Sequence, residues 1–199
     1  SDHLIKNLAR ISPENSIFNY KSGRKAFLSL GQGNIREWLE TLLPNTRIIL
    51  EPKIIGTYIG IQYINGSLTK AIDENSEEIT KVIQSLKTIP NKIPIKERIE
   101  IRGILYNNKN AYYQNNKKEF LYKQNDSSKN NEPNFCAFHI YHCKINQFQA
   151  LQELKNLNFK IPESQFTNFI SHIEIYLQCW REGKLFSNYP TNGIVLKMN

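Results

Sequence analysis

The sequence is poor in cysteine, with three in 199 residues (Cys136, Cys143 and Cys179) and no CxxC pair among them. So small and odd a number argues against a disulfide framework, and a chain able to bury roughly 70% of its unfolded surface does not need one. The three read as free thiols in a reducing cytoplasm. A zinc site built from Cys136, His139, His142 and Cys143 is disfavoured, because an alternating strand does not gather all four side chains on one face. Long apolar runs are lacking too. No stretch approaches the ~18–20 residues that span a bilayer, and SDHLIKNLARISPENS has no apolar centre of the signal-peptide kind, so no membrane association is expected. Acidic residues are the minority, 18 against 26 basic, for a net charge of +8. That excess favours polyanionic partners or anionic substrates through field and steering without defining a fold.

What is present is alternation. NIREWLETLL (34–43) puts Ile35, Trp38, Leu39, Leu42 and Leu43 on one helical stripe that Pro44 ends. RIILEPKI and TYIGIQYI then read as strands, the second with Tyr58, Gly60 and Gln62 opposite Ile59, Ile61 and Tyr63. Asn65-Gly66 supplies a type I′ turn into the return strand SLTKAI. A short amphipathic helix is predicted over 77–86. IEIRGILY alternates again, with Glu100 and Arg102 on the face away from Ile99, Ile101 and Gly103. The polar stretch 107–134 reads as a hairpin around EFLY followed by a mobile loop at Gln124–Asn131. FCAFHIYHC is a strand, with His139 and His142 as strand or edge residues. FQALQELKNLNF is a helix, and SQFTNFISHIEIYLQCWREGKL is a second helix closed by Gly183, in which Trp180, like Trp38, is a packing residue. NGIVLKMN closes the chain as a strand. Several strands with intervening helices and no internal repeat argue for an α+β domain.

Three of these strands present charge among apolar residues: Glu51 and Lys53 on the first, Glu100 and Arg102 on another, Lys197 on the last. A lysine so placed can contact phosphate, or act as a nucleophile if its amine is deprotonated. Spacing alone does not separate either role from a solvated lysine.

Taken in order, EPKIIGTYIGIQYINGSLTKAI, SLKTIP, IEIRG and TNGIVLK resemble the adenylation domain of NAD-dependent DNA ligases. KAFLSLGQGNIREWLETL resembles the lead-in to that domain's nucleotide site, and NFCAFHIYHC with LQELKNLNFKIP its later strand and helix. The similarity runs from Lys25 to Asn199 and leaves 1–24 as an N-terminal lead-in. It implies an α+β nucleotidyltransferase fold of twisted antiparallel sheets with surrounding helices. It also implies a catalytic lysine, Lys53 of KIIG, that takes AMP from the dinucleotide and expels nicotinamide mononucleotide. By the same resemblance Glu51 would accept from the adenine amino group, Glu100 would contact the ribose with Arg102 alongside, Phe138 would stack under the purine, and Lys197 would lie near adenine and phosphate. NAD or AMP is the implied nucleotide, Mg2+ accompanies it if the site is catalytic, and duplex or nicked DNA is the implied partner. An oligonucleotide-binding domain would follow Lys197 in a full ligase.

Departures from the family pattern shape the expectation. Ile55 stands where KxDG has Asp, and Asn192 where DGVVIK has Asp. Both remove carboxylates near the lysines, and with them orientation and any role in holding a metal, where positioning alone can be worth several kcal/mol. AIDENSEEIT lacks the family's Gly and Arg, and the N-terminal residues lack the Tyr/Asp pattern that captures the nicotinamide half. Two readings follow: a divergent adenylation domain with weak or lost AMP transfer, or a noncatalytic nucleic-acid-binding or interaction module of a larger DNA-processing protein.

Overall fold

The computed structural model describes residues 39–107, 133–141 and 145–199. The predicted features at 34–38 with Trp38, at EFLY and 124–131, and at His142 and Cys143 lie outside the described residues.

Among the described residues, seven strands form two antiparallel sheets. The first, of three strands, has β1 (Ile48–Ile54) between β6 (Gln165–Thr167) and β7 (Thr191–Met198). The second, of four strands, runs β3 (Ser67–Asp73), β2 (Thr57–Ile64), β4 (Ile99–Tyr106), β5 (Asn134–Tyr141). The three described helices are α1 (Thr80–Ser85), α2 (Gln147–Asn156) and α3 (Ile170–Arg181). The β2–β3 hairpin turns at Asn65 and Gly66 with φ of 50° and 74°, the two positive angles that a type I′ turn requires.

Alternation sorts the second sheet into two faces. Ile59, Ile61, Tyr63, Ile99, Ile101 and Leu105 point to a core covered by Ile83 of α1 and by Ala150 and Leu154 of α2. A fully buried side chain such as Ile83 contributes about 2–3 kcal/mol by leaving water. Phe135 of β5 lies over Gly103 so closely that any β-carbon there would strike its ring. The other face carries Ile104, Tyr106 and Cys136, which meet Ile54 and Ile194 of the first sheet together with Phe186 and Tyr189. The far side of the first sheet, Ile48 and Leu50, packs on Ile173 of α3. The order of layers is therefore helices, four-stranded sheet, three-stranded sheet, helix.

Both longer helices end as their sequences dictate. Asn146 caps α2 with a reciprocal capping box through Gln149. Asn158 at φ 65° and Gly183 at φ 70° close α2 and α3 with left-handed residues, as bonds from Phe159 to Leu154 and from Lys184 to Cys179 show.

Three expectations need correction. The helix predicted from Ser164 begins only at Ile170, because Gln165–Thr167 pair with Ile48–Leu50 as β6. Thr167 Oγ1 then accepts the Phe169 amide at the turn into the helix. The helix predicted over 77–86 is confined to Thr80–Ser85, as Glu78 bridges to Ile72. Leu43 points to solvent, while Leu39 is buried.

Candidate functional site

On β1 the residues alternate with Ile48 and Leu50 toward α3, which sends Glu51 and Lys53 to the face that looks toward the second sheet. Beside them on β7 are Lys197, whose Cα partner is Ile49, and Gly193. Two residues of β7, Asn192 and Gly193, stand opposite Lys53 alone, so a bulge marks this end of the ladder. The Lys53 stem runs past Gly193, where a β-carbon would lie 3.5 Å from Cδ. Among the described residues no carboxylate lies within ion-pairing reach of Lys53.

Glu51 is buried, and each of its oxygens accepts one hydrogen bond. Lys197 Nζ donates to its Oε2 at 2.6 Å, and Gln147 Nε2 donates to its Oε1 at 2.9 Å. The Lys197 ammonium also lies 5.2 Å from the centre of the Phe138 ring, a cation–π contact. Phe138 reaches that position through a second bulge. Arg102 pairs with His139 and Gly103 with Ala137, which leaves Phe138 as the extra residue of β5. Its ring is half-buried and meets Tyr58 edge to face at 6.1 Å.

Glu100 and Arg102 share the same face of the second sheet. Arg102 Nε donates to Glu100 Oε1 at 2.9 Å, both side chains are buried, and the guanidinium lies 4.5 Å from the Tyr141 ring centre. His139 joins the two halves. Its Nδ1 is 3.1 Å from Gln147 Oε1, and its ring tilts against Tyr141 at 4.1 Å. Burial pushes its pKa down to about 4, with Lys197 and Arg102 adding to that and the Gln147 hydrogen bond opposing it. It is therefore a neutral imidazole at physiological pH. Burial, with Glu51 adding to it, raises the Cys136 thiol to about 12, so this cysteine is no nucleophile.

The predicted residues thus fall into place unevenly. Glu51, Phe138 and Lys197 touch one another or share a partner, and Glu100 and Arg102 pair on the adjoining strand. Lys53 shares the face of Glu51 and Lys197 without bonding to either. Ile55 is 48% exposed, its amide bonding to the Pro190 carbonyl, and Asn192 is exposed. Sequence reasoning missed Gln147, whose only local signal is its place after the helix cap, and it read His139 as a bystander. Among the described residues no group of three or more His, Cys, Asp or Glu side chains is gathered for a metal ion, and no helix is long and apolar enough to cross a membrane.

The fold is shared with solved ligases. The chain matches the ATP-dependent DNA ligase from bacteriophage T7, in complex with ATP, at a TM-score of 0.52 and 14% identity over 85% of this chain and 61% of that one. It matches a structure named Pmar-Lig_Pre at 0.53 and 9% identity over 81% of this chain and 40% of that one. In sequence it is 28% identical to a DNA ligase of Mesoplasma florum over 78% of this chain and 27% of that protein. Against a DNA ligase of Metamycoplasma arthritidis it is 26% identical over 100% of this chain and 33% of that protein. The chain therefore spans a third or less of the length of these curated relatives. The family profile of the NAD-dependent DNA ligase adenylation domain matches residues 25–141, more than half of the sequence, and the chain belongs to that family.

Proposed function

We propose that Glu51, Lys53, Lys197 and Phe138, contributed by both sheets, bind an adenine nucleotide and that Lys53 slowly accepts its adenylyl group, as one step of a DNA-ligase reaction. The observation that carries this is the meeting of a carboxylate and a half-exposed aromatic ring on Lys197, with Lys53 on the same side of the three-stranded sheet as Lys197. The residues fit a nucleotide. Phe138 offers a π-face to a purine, Glu51 retains acceptor capacity for an exocyclic amine, and Lys197 and Lys53 offset phosphate charge. Exposure of Ile55 favours this reading over a closed, noncatalytic module, because the residue that replaces Asp is not packed inward.

With NAD or ATP as substrate, the neutral Lys53 amine attacks the α-phosphorus. An N–P bond forms, the bond to the nicotinamide mononucleotide or pyrophosphate leaving group breaks, and the amine proton passes to solvent. Lys197 holds Glu51 in place and adds positive charge. A divalent cation does not fit the described donors as a protein-built site: Glu51 and Glu100 already hold cations, and Ile55 and Asn192 contribute no carboxylate. Transfer is slow because those two positions no longer orient the amine. The net charge of +8 supports weak, salt-sensitive contact with duplex or nicked DNA without sequence preference.

The test is intact mass after incubation with ATP or NAD and Mg2+. Slow, substoichiometric gain of one AMP from ATP, little or none from NAD, and none in Lys53→Ala are expected. Absence of saturable binding of either nucleotide would remove the proposal.

A further inference from the structure

Gln147 occupies the first turn of α2, is almost fully buried, and makes three polar contacts that are mutually consistent in one orientation only. Its amide nitrogen has two hydrogens, and both are used: one goes to Glu51 Oε1 and one to the Phe138 carbonyl, each at 2.9 Å. Rotating the amide by half a turn would set its oxygen against two other acceptors. The oxygen must therefore face His139, and because it can only accept, the proton on that ring lies on Nδ1. The carbonyl at Phe138 is free to be used in this way because the bulge removes that residue from pairing with β4.

We propose that Gln147 is the positioning residue of this site: it fixes Glu51 as an acceptor for the 6-amino group of adenine, locks the bulge that presents Phe138, and holds His139 as the Nδ1–H tautomer. This rests on the reading of the cleft as an adenine-nucleotide site. Lys197 saturates one oxygen of Glu51 from one side and Gln147 orients the other. A carboxylate so held favours a purine bearing an amine at position 6 and opposes one bearing a carbonyl there. Gln147 reaches the nucleotide through Glu51 and Phe138 and takes no part in phosphorus chemistry.

Two variants separate its roles. Gln147→Leu removes all three contacts. Gln147→Glu keeps an acceptor toward His139 but replaces the donors facing Glu51 with a second carboxylate. In the wild type, nitrogen-15 NMR of the nucleotide-free protein should show the His139 proton on Nδ1, and ATP should bind at least about tenfold more tightly than GTP. Gln147→Leu should lose the fixed tautomer and most of the ATP preference. Gln147→Glu should keep the tautomer yet lose the preference, an outcome that stands even if the leucine variant does not fold. A merely structural role would weaken both nucleotides equally and leave their ratio intact. A wild type that prefers ATP, with variants that prefer it as strongly, overturns the role of Gln147 alone. A wild type that binds neither nucleotide overturns the selectivity through the site reading beneath it, and an Nε2–H tautomer in the wild type overturns the geometry itself.

Discussion

In β4 every residue from Ile99 to Tyr106 is buried, whereas in β7 none is: Asn192 is exposed and the other residues from Thr191 to Met198 are half-buried. Each strand delivers an ion pair to the same site. The Arg102–Glu100 pair is closed on both sides, with side chains 5% and 7% exposed, while Lys197 is 20% exposed against 4% for Glu51. The four-stranded sheet thus carries a pair enclosed at both members, and the three-stranded sheet carries an enclosed carboxylate whose cation water can reach. A wall and a working surface differ in this way: one keeps its shape, and the other exchanges one partner for another at low cost.

Breaking each pair puts the largest strain on this contrast. Arg102→Ala removes a buried guanidinium that donates to a buried carboxylate and is expected to destabilise the fold by about 3–5 kcal/mol. Lys197→Ala is expected to cost less, about 1–2 kcal/mol, since the Gln147 amide still donates to Glu51. Urea midpoints measure both, and equal losses would erase the distinction.

A smaller effect comes from His139, which lies between the two pairs. Its pKa is about 4 when folded and near the ordinary 6.5 when unfolded, so the unfolded chain binds the proton first as pH falls. Its contribution is complete above about pH 6.5 and is lost progressively toward about pH 4, on the order of 1–2 kcal/mol for a group not wholly enclosed. His139→Asn keeps a donor toward Gln147 without titrating. Urea midpoints measured from pH 7 to pH 5 should fall less in that variant, and superimposable profiles would count against a buried neutral ring.

Helix ends sharpen the comparison at the lowest energies. α2, on the four-stranded sheet, has the Asn146 capping box, whereas Phe169 before α3 makes no side-chain cap bond. Asn146→Ala should cost about 1 kcal/mol in thermal unfolding, and Phe169→Ala a few tenths at most as a cap. The reverse ranking would show that α3 owes its start to something other than Ile173 packing and the Thr167 turn.

Much of this was legible in the chain because it is local. The Asn65-Gly66 turn follows from two residues with positive φ, and the sidedness of Glu100 and Arg102 follows from a period of two. Long-range causes were not legible. Gln165–Thr167 have a helix-compatible sequence and become a strand only because β1, over a hundred residues earlier, offers an open edge. A similar separation hides Gln147, whose partner Glu51 is 96 residues away. Glu51, Phe138 and Lys197 were named through resemblance, yet nothing in FCAFHIYHC announces a bulge, which exists only relative to the strand beside it.

That bulge at Phe138 makes β5 a strand of two phases. Before it, Phe135 and Ala137 face the core; after it, Ile140 does, five and three positions further on, so odd-numbered residues give way to even ones. Chain length between these anchors is therefore as constrained as their identity. A one-residue deletion there would restore unbroken alternation from Phe135 onward, carry the position of Ile140 into step with the odd set, and withdraw an aromatic residue from beneath Lys197. Descendants of this chain can change side chains along β5 far more freely than they can change its count.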